Sequence, residues 1–293
     1  MPQTQQIINI DTQKRIDSYL AEILDIPRNQ IQKWIEKGKV CVNGKVVSKN
    51  YKLKGEEKIS FEPIEFEKPN LKIADCDIKI LYEDDFLVVV DKPAGVVVHP
   101  GAGSEHKSVV GALLFRGIKL SDIGAPLRPG VVHRIDKDTS GVIVLAKDNN
   151  THFKLANQFA LHISKRYYIG ICEGHIKDSF GTIKTQIGRH PIKRKQFAVV
   201  QGKLAVTHYK VIMRLKYMDI VRFELETGRT HQIRVHMQYL NHPLVGDSVY
   251  SKSSKLIQRQ ALHAFYLGFF HPNSNKFLKF YSKLPKDMIE LIG

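Results

Sequence analysis

Apolar residues follow helical spacing in the first part of the chain. Four of them mark one side of a predicted helix: Ile16, Leu20, Ile23 and Leu24. Pro27 suits the first position of a second helix and Gly38 suits its end. Apolar alternation on both sides of Asn43-Gly44 then predicts a β-hairpin, because Asn-Gly favours the tight turn that joins two strands. Residues 12–61 are therefore predicted to form a small unit of their own.

Positive charge is concentrated in this unit. Nine basic residues stand against three acidic ones, Glu36, Glu56 and Glu57, over the stretch 28–58: Arg28, Lys33, Lys37, Lys39, Lys45, Lys49, Lys52, Lys54 and Lys58. The pattern alone leaves open whether they form a solvated surface or a surface for the phosphates of a nucleic acid. The segment resembles the S4 RNA-binding domain in several short motifs: Arg15-Ile16-Asp17, Arg28-Asn29-Gln30-Ile31-Gln32, Gly38-Lys39-Val40 and Val42-Asn43-Gly44. This resemblance implies RNA contacts from Arg28, Lys33 and Lys37.

The longer part of the chain follows a predicted linker at 62–72 that carries two prolines. Five apolar stretches have the length of strands: Phe86–Val90, Gly141–Lys147, Tyr167–Cys172, Val206–Met213 and Ile220–Glu226. Helical stretches are predicted at Thr151–His162 and about His231–Leu240. Runs of strands with few helices between them favour an α+β domain over 73–293, with a largely antiparallel mixed sheet flanked by helices.

Composition narrows the class of protein. The chain has 293 residues, which allows about two domains. Its 45 basic and 29 acidic residues give a net charge of +16, which favours a polyanionic partner and nucleic acid first. The cysteines, Cys41, Cys76 and Cys172, are too scattered for a disulfide framework or a thiolate zinc site. We expect a soluble cytoplasmic protein, because neither a signal peptide nor an apolar run of ~18 residues is visible.

Two polar clusters could carry chemistry. The first, 133–141, places two carboxylates, two cations and an imidazole where a predicted loop meets a strand. An aspartate beside cations stays ionised and could act as a nucleophile or a base. The structural alternative is a turn capped by Asp138 and Ser140. The second cluster, 227–236, opens the last predicted helix and suits either a phosphate site or one cation for a buried aspartate.

Several classes of site lack their signature in this sequence. His133, His231 and His236 match no zinc motif, and neither a phosphate-binding loop nor a dinucleotide-binding G-x-G-x-x-G is present. This disfavours NTPases, NAD enzymes and most methyltransferases. The basic run 188–195 is predicted to be an exposed loop or hairpin, a finger for a nucleic-acid groove.

Taken in order, these clusters resemble the RluA family of RNA pseudouridine synthases, and within it the RluD branch. The likeness covers nearly the whole chain. Its two most specific motifs are His133-Arg134-Ile135-Asp136 and Gly228-Arg229-Thr230-His231-Gln232-Ile233-Arg234. Further matches are Asp91-Lys92-Pro93-Ala94-Gly95, Arg166-Tyr167-Tyr168, Gly188-Arg189-His190-Pro191 and His242-Pro243-Leu244-Val245-Gly246-Asp247. The chain departs from the family pattern at two positions. Asp91 stands where asparagine is common, and Phe197 stands where methionine is common.

The resemblance implies that specific uridines in RNA, most of all large-subunit ribosomal RNA, are isomerised to pseudouridine. The base leaves its stack, is detached from C1′ and is rejoined through C5. Asp136 is implied as the catalytic carboxylate, Arg234 as its basic partner and Tyr168 as the active-site tyrosine, with Tyr167 as the competing register. Whether Asp136 attacks the substrate or abstracts a sugar proton stays open. The implied residues for base flipping and RNA contact in this domain are Arg134, His133, Arg189 and Arg194.

The resemblance also implies that RNA is the partner, that the enzyme needs neither a cofactor nor a metal, and that the chain acts as a monomer. Three other classes remain as alternatives. The first is an RNA-binding factor without activity. The second is a two-carboxylate hydrolase that pairs Asp136 with Asp138 or Asp247. The third is a protein that uses its charge on a membrane surface, for which no amphipathic basic helix is visible.

The charge excess yields a first prediction. We expect RNA binding to weaken at least about tenfold between about 50 mM and about 200 mM salt, because bound phosphates release counterions. Filter binding or fluorescence anisotropy of a labelled RNA fragment would measure this slope. A flat response to salt would argue against phosphate contacts as the source of affinity.

Overall fold

The protein is described from a computed structural model. The described residues are 5–9, 11–24, 26, 28–62, 73–100, 107–193, 196–251, 254 and 256–293. The chain divides into two compact units, Met1–Lys68 and Pro69–Gly293. Of the predicted linker 62–72, only Glu62 lies among the described residues.

The first unit combines two helices with short antiparallel strands. Its elements are β1 (Gln5–Ile8), β2 (Thr12–Arg15), α1 (Ile16–Ile23), α2 (Arg28–Glu36), β3 (Val40–Val42), β4 (Lys45–Val46), β5 (Lys52–Lys54) and β6 (Lys58–Phe61). Strands β1, β6, β3 and β4 form one sheet in that order, and β2 pairs with β5. The predicted hairpin is confirmed: β3 pairs with β4, and Asn43 and Gly44 both have positive φ, as the tight turn requires.

The core of this unit lies between the helices and the sheet. Trp34 of α2 is 3% exposed and stacks on Phe61 of β6 with 6.0 Å between ring centroids. Ile31 and Ile35 of α2 are also buried and complete the inner side of this helix. Pro27, the predicted first residue of α2, lies outside the described residues.

A buried carboxylate joins the two helices. Asp17 of α1 is fully buried and accepts two hydrogen bonds from Arg28 of α2, at 3.0 and 3.1 Å. Arg15 and Gln32 donate to the same carboxylate. Burial opposes ionisation, but the hydrogen bonds from these side chains outweigh it and hold the pKa of Asp17 well below its usual range. Arg28, a predicted RNA contact, thus binds this carboxylate through Nε and Nη2 while its side chain remains 47% exposed. Its contact with RNA stays a prediction.

The second unit is built on one large sheet. Its elements are β7 (Lys79–Glu83), β8 (Leu87–Lys92), α3 (Val109–Phe115), β9 (Ser140–Ala146), α4 (Asn149–Ala160), β10 (Lys165–Glu173), β11 (Phe180–Arg189), β12 (Phe197–Val199), β13 (Lys203–Arg214), β14 (Met218–Leu225), α5 (Gln232–Tyr239), β15 (Leu262–Phe270), β16 (Phe277–Tyr281) and α6 (Lys286–Ile289). The strand order is β12-β11-β13-β14-β10-β15-β9-β8-β7, with β16 paired to β15. The five predicted strands and two predicted helices of this unit are confirmed within a few residues.

Every ladder described in this sheet is antiparallel except the one between β9 and β15. Gly141 of β9 allows their close approach, because a Cβ there would collide with the backbone of Ala264 and its φ is +118°. The loop before β9 is held to the start of β15 as well: Gln260 donates to the Thr139 hydroxyl and Arg259 donates to the Asp138 carbonyl. The predicted α+β class with a largely antiparallel sheet is confirmed.

Helix α5 lies against β11, β12 and β13. His236 in its middle is fully buried, and its two ring nitrogens lie 3.0 Å from the Thr185 hydroxyl and 2.9 Å from the Thr207 hydroxyl. Burial lowers the pKa of His236 to about 4, so the ring is a neutral bridge between strands. Among the described residues, no helix is long and apolar enough to cross a membrane.

We expect Asp17→Asn to destabilise the first unit by about 2 kcal/mol, because a buried acceptor of charged hydrogen bonds loses its charge. Since the pKa of Asp17 is depressed by folding, its contribution is present above the ordinary aspartate pKa of about 3.9 and is lost at lower pH. The difference in the free energy of unfolding between the wild type and Asp17→Asn should therefore be smaller at about pH 3 than at about pH 7.

Trp34 is the one tryptophan of the chain, so its fluorescence during urea unfolding follows the first unit alone. The matched control is Asp11→Asn, which alters a half-exposed partner of Lys14 and should change little. Equal losses of stability in both variants would show that the burial of Asp17 is not the cause of the loss.

Candidate active site

Asp136 lies in the loop that leads into β9. Its carboxylate Oδ2 accepts a hydrogen bond from Arg234 Nη1 at 3.0 Å, and its side chain is 19% exposed. The backbone turns directly afterwards, with Thr139 N–H donating to the Asp136 carbonyl. Asp136 is thus held by a cation on one side and open to solvent on the other.

Arg234 reaches this carboxylate from the first turn of α5. Its other edge is occupied by Asp247, which accepts from Nε at 2.7 Å and from Nη2 at 2.8 Å. A planar guanidinium can serve two carboxylates at once because its donors point along separate edges. Burial disfavours the charge, but the hydrogen bonds and negative charge of Asp247 outweigh it and raise the pKa of Arg234. The cation is therefore permanent.

Asp247 is the residue of the candidate site that sequence patterns indicate most weakly. It is fully buried in the turn after Gly246, where its Oδ1 also accepts from the backbone N–H groups of Val249 and Tyr250. In sequence this segment reads as an aspartate-capped turn. Because both carboxylates bind one guanidinium, Asp247 is committed to Arg234 and does not form the second carboxylate of a hydrolase with Asp136.

A buried lysine fixes the backbone next to Asp136. Lys92 at the end of β8 is fully buried and its Nζ donates to the carbonyls of Pro93, Val96 and Lys137, at 2.8, 2.7 and 2.8 Å. Burial lowers the pKa of Lys92 to about 7, although the charges of Asp138 and Asp136 oppose this. The turn after β8 is in this way tied to the loop that carries Asp136.

The alternation of β10 separates the two candidate tyrosines. Tyr168 is 7% exposed and lines a cavity of about 210 Å³ together with Asp136 and Arg234. Tyr167 does not line this cavity. It stacks on Tyr266 of β15 at 5.0 Å instead. Burial raises the pKa of Tyr168, so its hydroxyl keeps its proton.

A second cavity, of about 420 Å³, adjoins the same residues. Five residues line both cavities: Arg134, Ile135, Asp136, His231 and Arg234. Arg134, the residue that the resemblance implies for base flipping, is exposed. Asp138, for which the sequence analysis gave a turn as the structural alternative, is part of a turn. It lines the second cavity only.

His133, a predicted base-flipping or RNA-contact residue, is engaged by neighbouring elements of the second unit. Its Nε2 accepts a hydrogen bond from the Val144 backbone N–H at 3.1 Å, and its ring stacks on Phe159 of α4 at 4.4 Å. Burial, with the charge of Arg166, lowers the pKa of His133 to about 3. The ring is therefore neutral, and its contact with RNA stays a prediction.

The remaining predicted RNA contacts differ in what surrounds them. Lys33 and Lys37 are exposed on and just after α2 in the first unit. Arg189 is exposed at the end of β11, with its guanidinium over the Phe197 ring at 5.3 Å. The predicted basic finger is a hairpin of β11 and β12. Arg194 lies outside the described residues. Across the described part of the chain, no group of three or more His, Cys, Asp or Glu side chains is arranged to hold a metal.

Comparison with known proteins identifies the class. The sequence profile of the RNA pseudouridylate synthase family matches residues 86–239, and that of the S4 domain matches residues 14–59. An uncharacterized RNA pseudouridine synthase of Bacillus subtilis (strain 168), YlyB, is 42% identical over 95% of this chain and 93% of its own. Ribosomal large subunit pseudouridine synthase D of Nitrosomonas europaea is 41% identical over 95% of this chain and 83% of its own.

A solved structure agrees with these sequence matches. Human RNA Pseudouridylate Synthase Domain Containing 1 superposes with a TM-score of 0.58 and 25% identity, covering 71% of this chain and 83% of that one. The chain therefore belongs to the RNA pseudouridylate synthase family and carries an S4 domain. It is an RNA pseudouridine synthase, an isomerase that converts uridine in RNA to pseudouridine. The predicted family and activity are confirmed.

The shared guanidinium yields the prediction for this site. We expect Asp247→Asn to lower kcat about 10- to 100-fold and to leave KM within about threefold, because Arg234 loses the carboxylate that orients it toward Asp136. Steady-state kinetics on a short RNA substrate would measure both values.

The matched control is Asp219→Asn. Asp219 is also fully buried and accepts from a backbone N–H and from an arginine, but it does not line either cavity. It should lose stability without losing kcat. A fall in kcat of the same size in both variants would reduce the role of Asp247 to general stability.

Proposed function

We propose that the enzyme modifies uridines of large-subunit ribosomal RNA, with Asp136 as its catalytic carboxylate. The observation that carries the proposal is the Asp136–Arg234 ion pair at the wall of a cavity that Tyr168 also lines. The ribosomal target is supported by the 41% identity to a protein named ribosomal large subunit pseudouridine synthase D. The net charge of +16 suits a large, folded polyanion.

The target base has to leave its stack before it reaches Asp136. Arg134, exposed at the mouth of both cavities, is the side chain for this step. Its guanidinium can stack on neighbouring bases and donate hydrogen bonds at the same time, so it can occupy the gap that the base leaves.

Asp136 then acts on the sugar or base of the flipped nucleotide. Arg234 binds the carboxylate and fixes its direction, leaving the exposed side toward the cavity. The carboxylate either attacks the substrate or takes a proton from the sugar, and both routes need it as an anion. Tyr168 lies under the base in this arrangement, where its protonated hydroxyl can relay a proton at C5 or C2′.

The proposal includes neither a cofactor nor a metal. The product is an isomer of the substrate, so nothing is oxidised and no group is added. The permanent cation that the site needs is supplied by Arg234. We propose further that the chain acts as a monomer in the cytoplasm.

The test is release of tritium from 5-³H-uridine in large-subunit ribosomal RNA transcribed without modifications. Rejoining at C5 expels that hydrogen, whereas binding or hydrolysis of the glycosidic bond does not require it. We expect release by the wild type and a rate lowered at least about a thousandfold in Asp136→Asn.

Asp138→Asn is the matched control, since this residue lies two positions away in the same loop. It should keep activity within about tenfold. Release from another RNA but none from large-subunit RNA would sink the ribosomal proposal and leave the isomerase. Release by Asp136→Asn at the wild-type rate would remove this residue from the chemistry.

A further inference from the structure

His231 has a place in the site that the proposed mechanism does not use. It is the residue directly before α5, and its φ of +57° lies in the left-handed region that side chains rarely adopt. Its ring lines both cavities together with Asp136 and Arg234. The backbone thus holds this imidazole at the cavity wall in an unusual conformation, and strained residues of this kind cluster at functional sites.

Hydrogen bonds around the ring determine where its proton lies. The Phe197 backbone N–H donates to the hydroxyl of Tyr250 at 2.9 Å, and that hydroxyl lies 2.9 Å from His231 Nδ1. Tyr250 is buried, and its hydroxyl has no further partner among the described residues. A buried hydroxyl proton without an acceptor is unfavourable, so the Tyr250 proton points at Nδ1.

This arrangement fixes the tautomer of His231. Because Nδ1 accepts the hydrogen bond, the neutral ring carries its own proton on Nε2. Burial lowers the pKa of His231, although the charge of Asp136 opposes this, and the neutral form is favoured at neutral pH. The ring is therefore a donor through Nε2 and has no acceptor left.

The Nε2 donor is open to a ligand. It makes no hydrogen bond to any residue that the structure describes, and it is not among the buried polar atoms left without a partner. It consequently reaches solvent through the cavities that the ring lines. The site presents a neutral N–H donor, oriented in advance, beside the ion pair at Asp136.

The isomerisation needs such a donor at one stage. Cleavage of the C1′–N1 bond leaves the bonding pair on the uracil, and the charge spreads to its O2 and O4 atoms. The base then turns and forms the C1′–C5 bond, after which the C5 hydrogen leaves as a proton and N1 gains one. Donors placed where charge develops are among the largest contributions to catalysis in enclosed sites.

We propose that His231 donates a hydrogen bond from Nε2 to a carbonyl oxygen of the detached uracil and stabilises its negative charge. Arg234 is less suited to this role because its donors are engaged by Asp136 and Asp247. The inference rests on the proposed function, since it takes the cavity beside Asp136 as the place where the uracil lies.

The tautomer is tested first, without substrate. Long-range ¹H–¹⁵N correlation spectra of protein labelled with ¹⁵N-histidine should show His231 with an unprotonated Nδ1 and a protonated Nε2. Tyr250→Phe removes the hydroxyl and should abolish this preference. Tyr281→Phe is the matched control, because that tyrosine is 62% exposed. A protonated Nδ1 in the wild type would overturn the inference.

Kinetics test the role of the donor. His231→Leu should lower the single-turnover rate constant about 100-fold and leave RNA affinity within about twofold. His231→Gln, which restores an N–H donor, should recover most of that loss. His162→Leu is the matched control: His162 is exposed and also has a left-handed φ, of +59°, so the same substitution meets the same backbone requirement away from the cavities.

The outcomes separate the inference from the proposed function. No tritium release by the wild type on any RNA would count against the proposed function whatever His231 does. Release by the wild type with an unchanged rate in His231→Leu would overturn the inference alone. A loss confined to RNA affinity would also overturn the inference. So would an equal loss of rate in His231→Leu and His231→Gln, because a donor to the uracil would then not explain the loss.

Discussion

The geometry of the candidate active site depends on one buried guanidinium, that of Arg234. Arg234 joins Asp136, 98 residues before it, to Asp247, 13 residues after it. A buried cation is tolerated only where its charge and donors are met, so the three segments that carry these residues have to be correctly placed together. The turn that carries Asp247 is tied to β10 and to the segment before β15 by Val245, whose N–H donates to the Ile171 carbonyl and whose carbonyl accepts from the Ala261 N–H. Asp247 is fully buried, and the pair with Asp136 leaves the one partly exposed carboxylate facing the cavity.

Ion pairs between an arginine and a buried carboxylate also bear on which side chains carry the net positive charge of the chain. Arginines meet buried carboxylates within each unit: Arg28 binds Asp17 in the first, and Arg214 and Arg234 do the equivalent in the second. Each such pair removes as much negative charge as positive, so the net charge of +16 belongs to the remaining basic side chains. Exposed lysines such as Lys37 are among them. Arginine is suited to these buried pairs because a guanidinium loses less hydration on burial than an ammonium.

Patterns that depend on neighbours in sequence predicted the structure well, and those that depend on distant partners did not. The Asn43-Gly44 turn and the apolar run of β8 are local, and both were predicted. Asp136 belongs to a specific motif, and the structure places it against Arg234. Asp247 was missed as the partner of Arg234, since an aspartate in a turn looks the same with or without a buried arginine. The surroundings of His133 were not predicted either, because the partners of its ring, Val144 and Phe159, come from other elements.

The basic hairpin and the site are parts of one hydrogen-bonded structure. The Phe197 N–H on β12 holds the hydroxyl of Tyr250, which holds the ring of His231, and the Tyr250 ring lies 5.2 Å from the Arg234 guanidinium. Gln196 adds a hydrogen bond from the hairpin to the Val249 carbonyl, next to the same tyrosine. The hairpin is therefore connected through Tyr250 to two groups that face the cavity. The segment that carries positive charge at the surface also fixes, through Tyr250, the position of side chains inside the site.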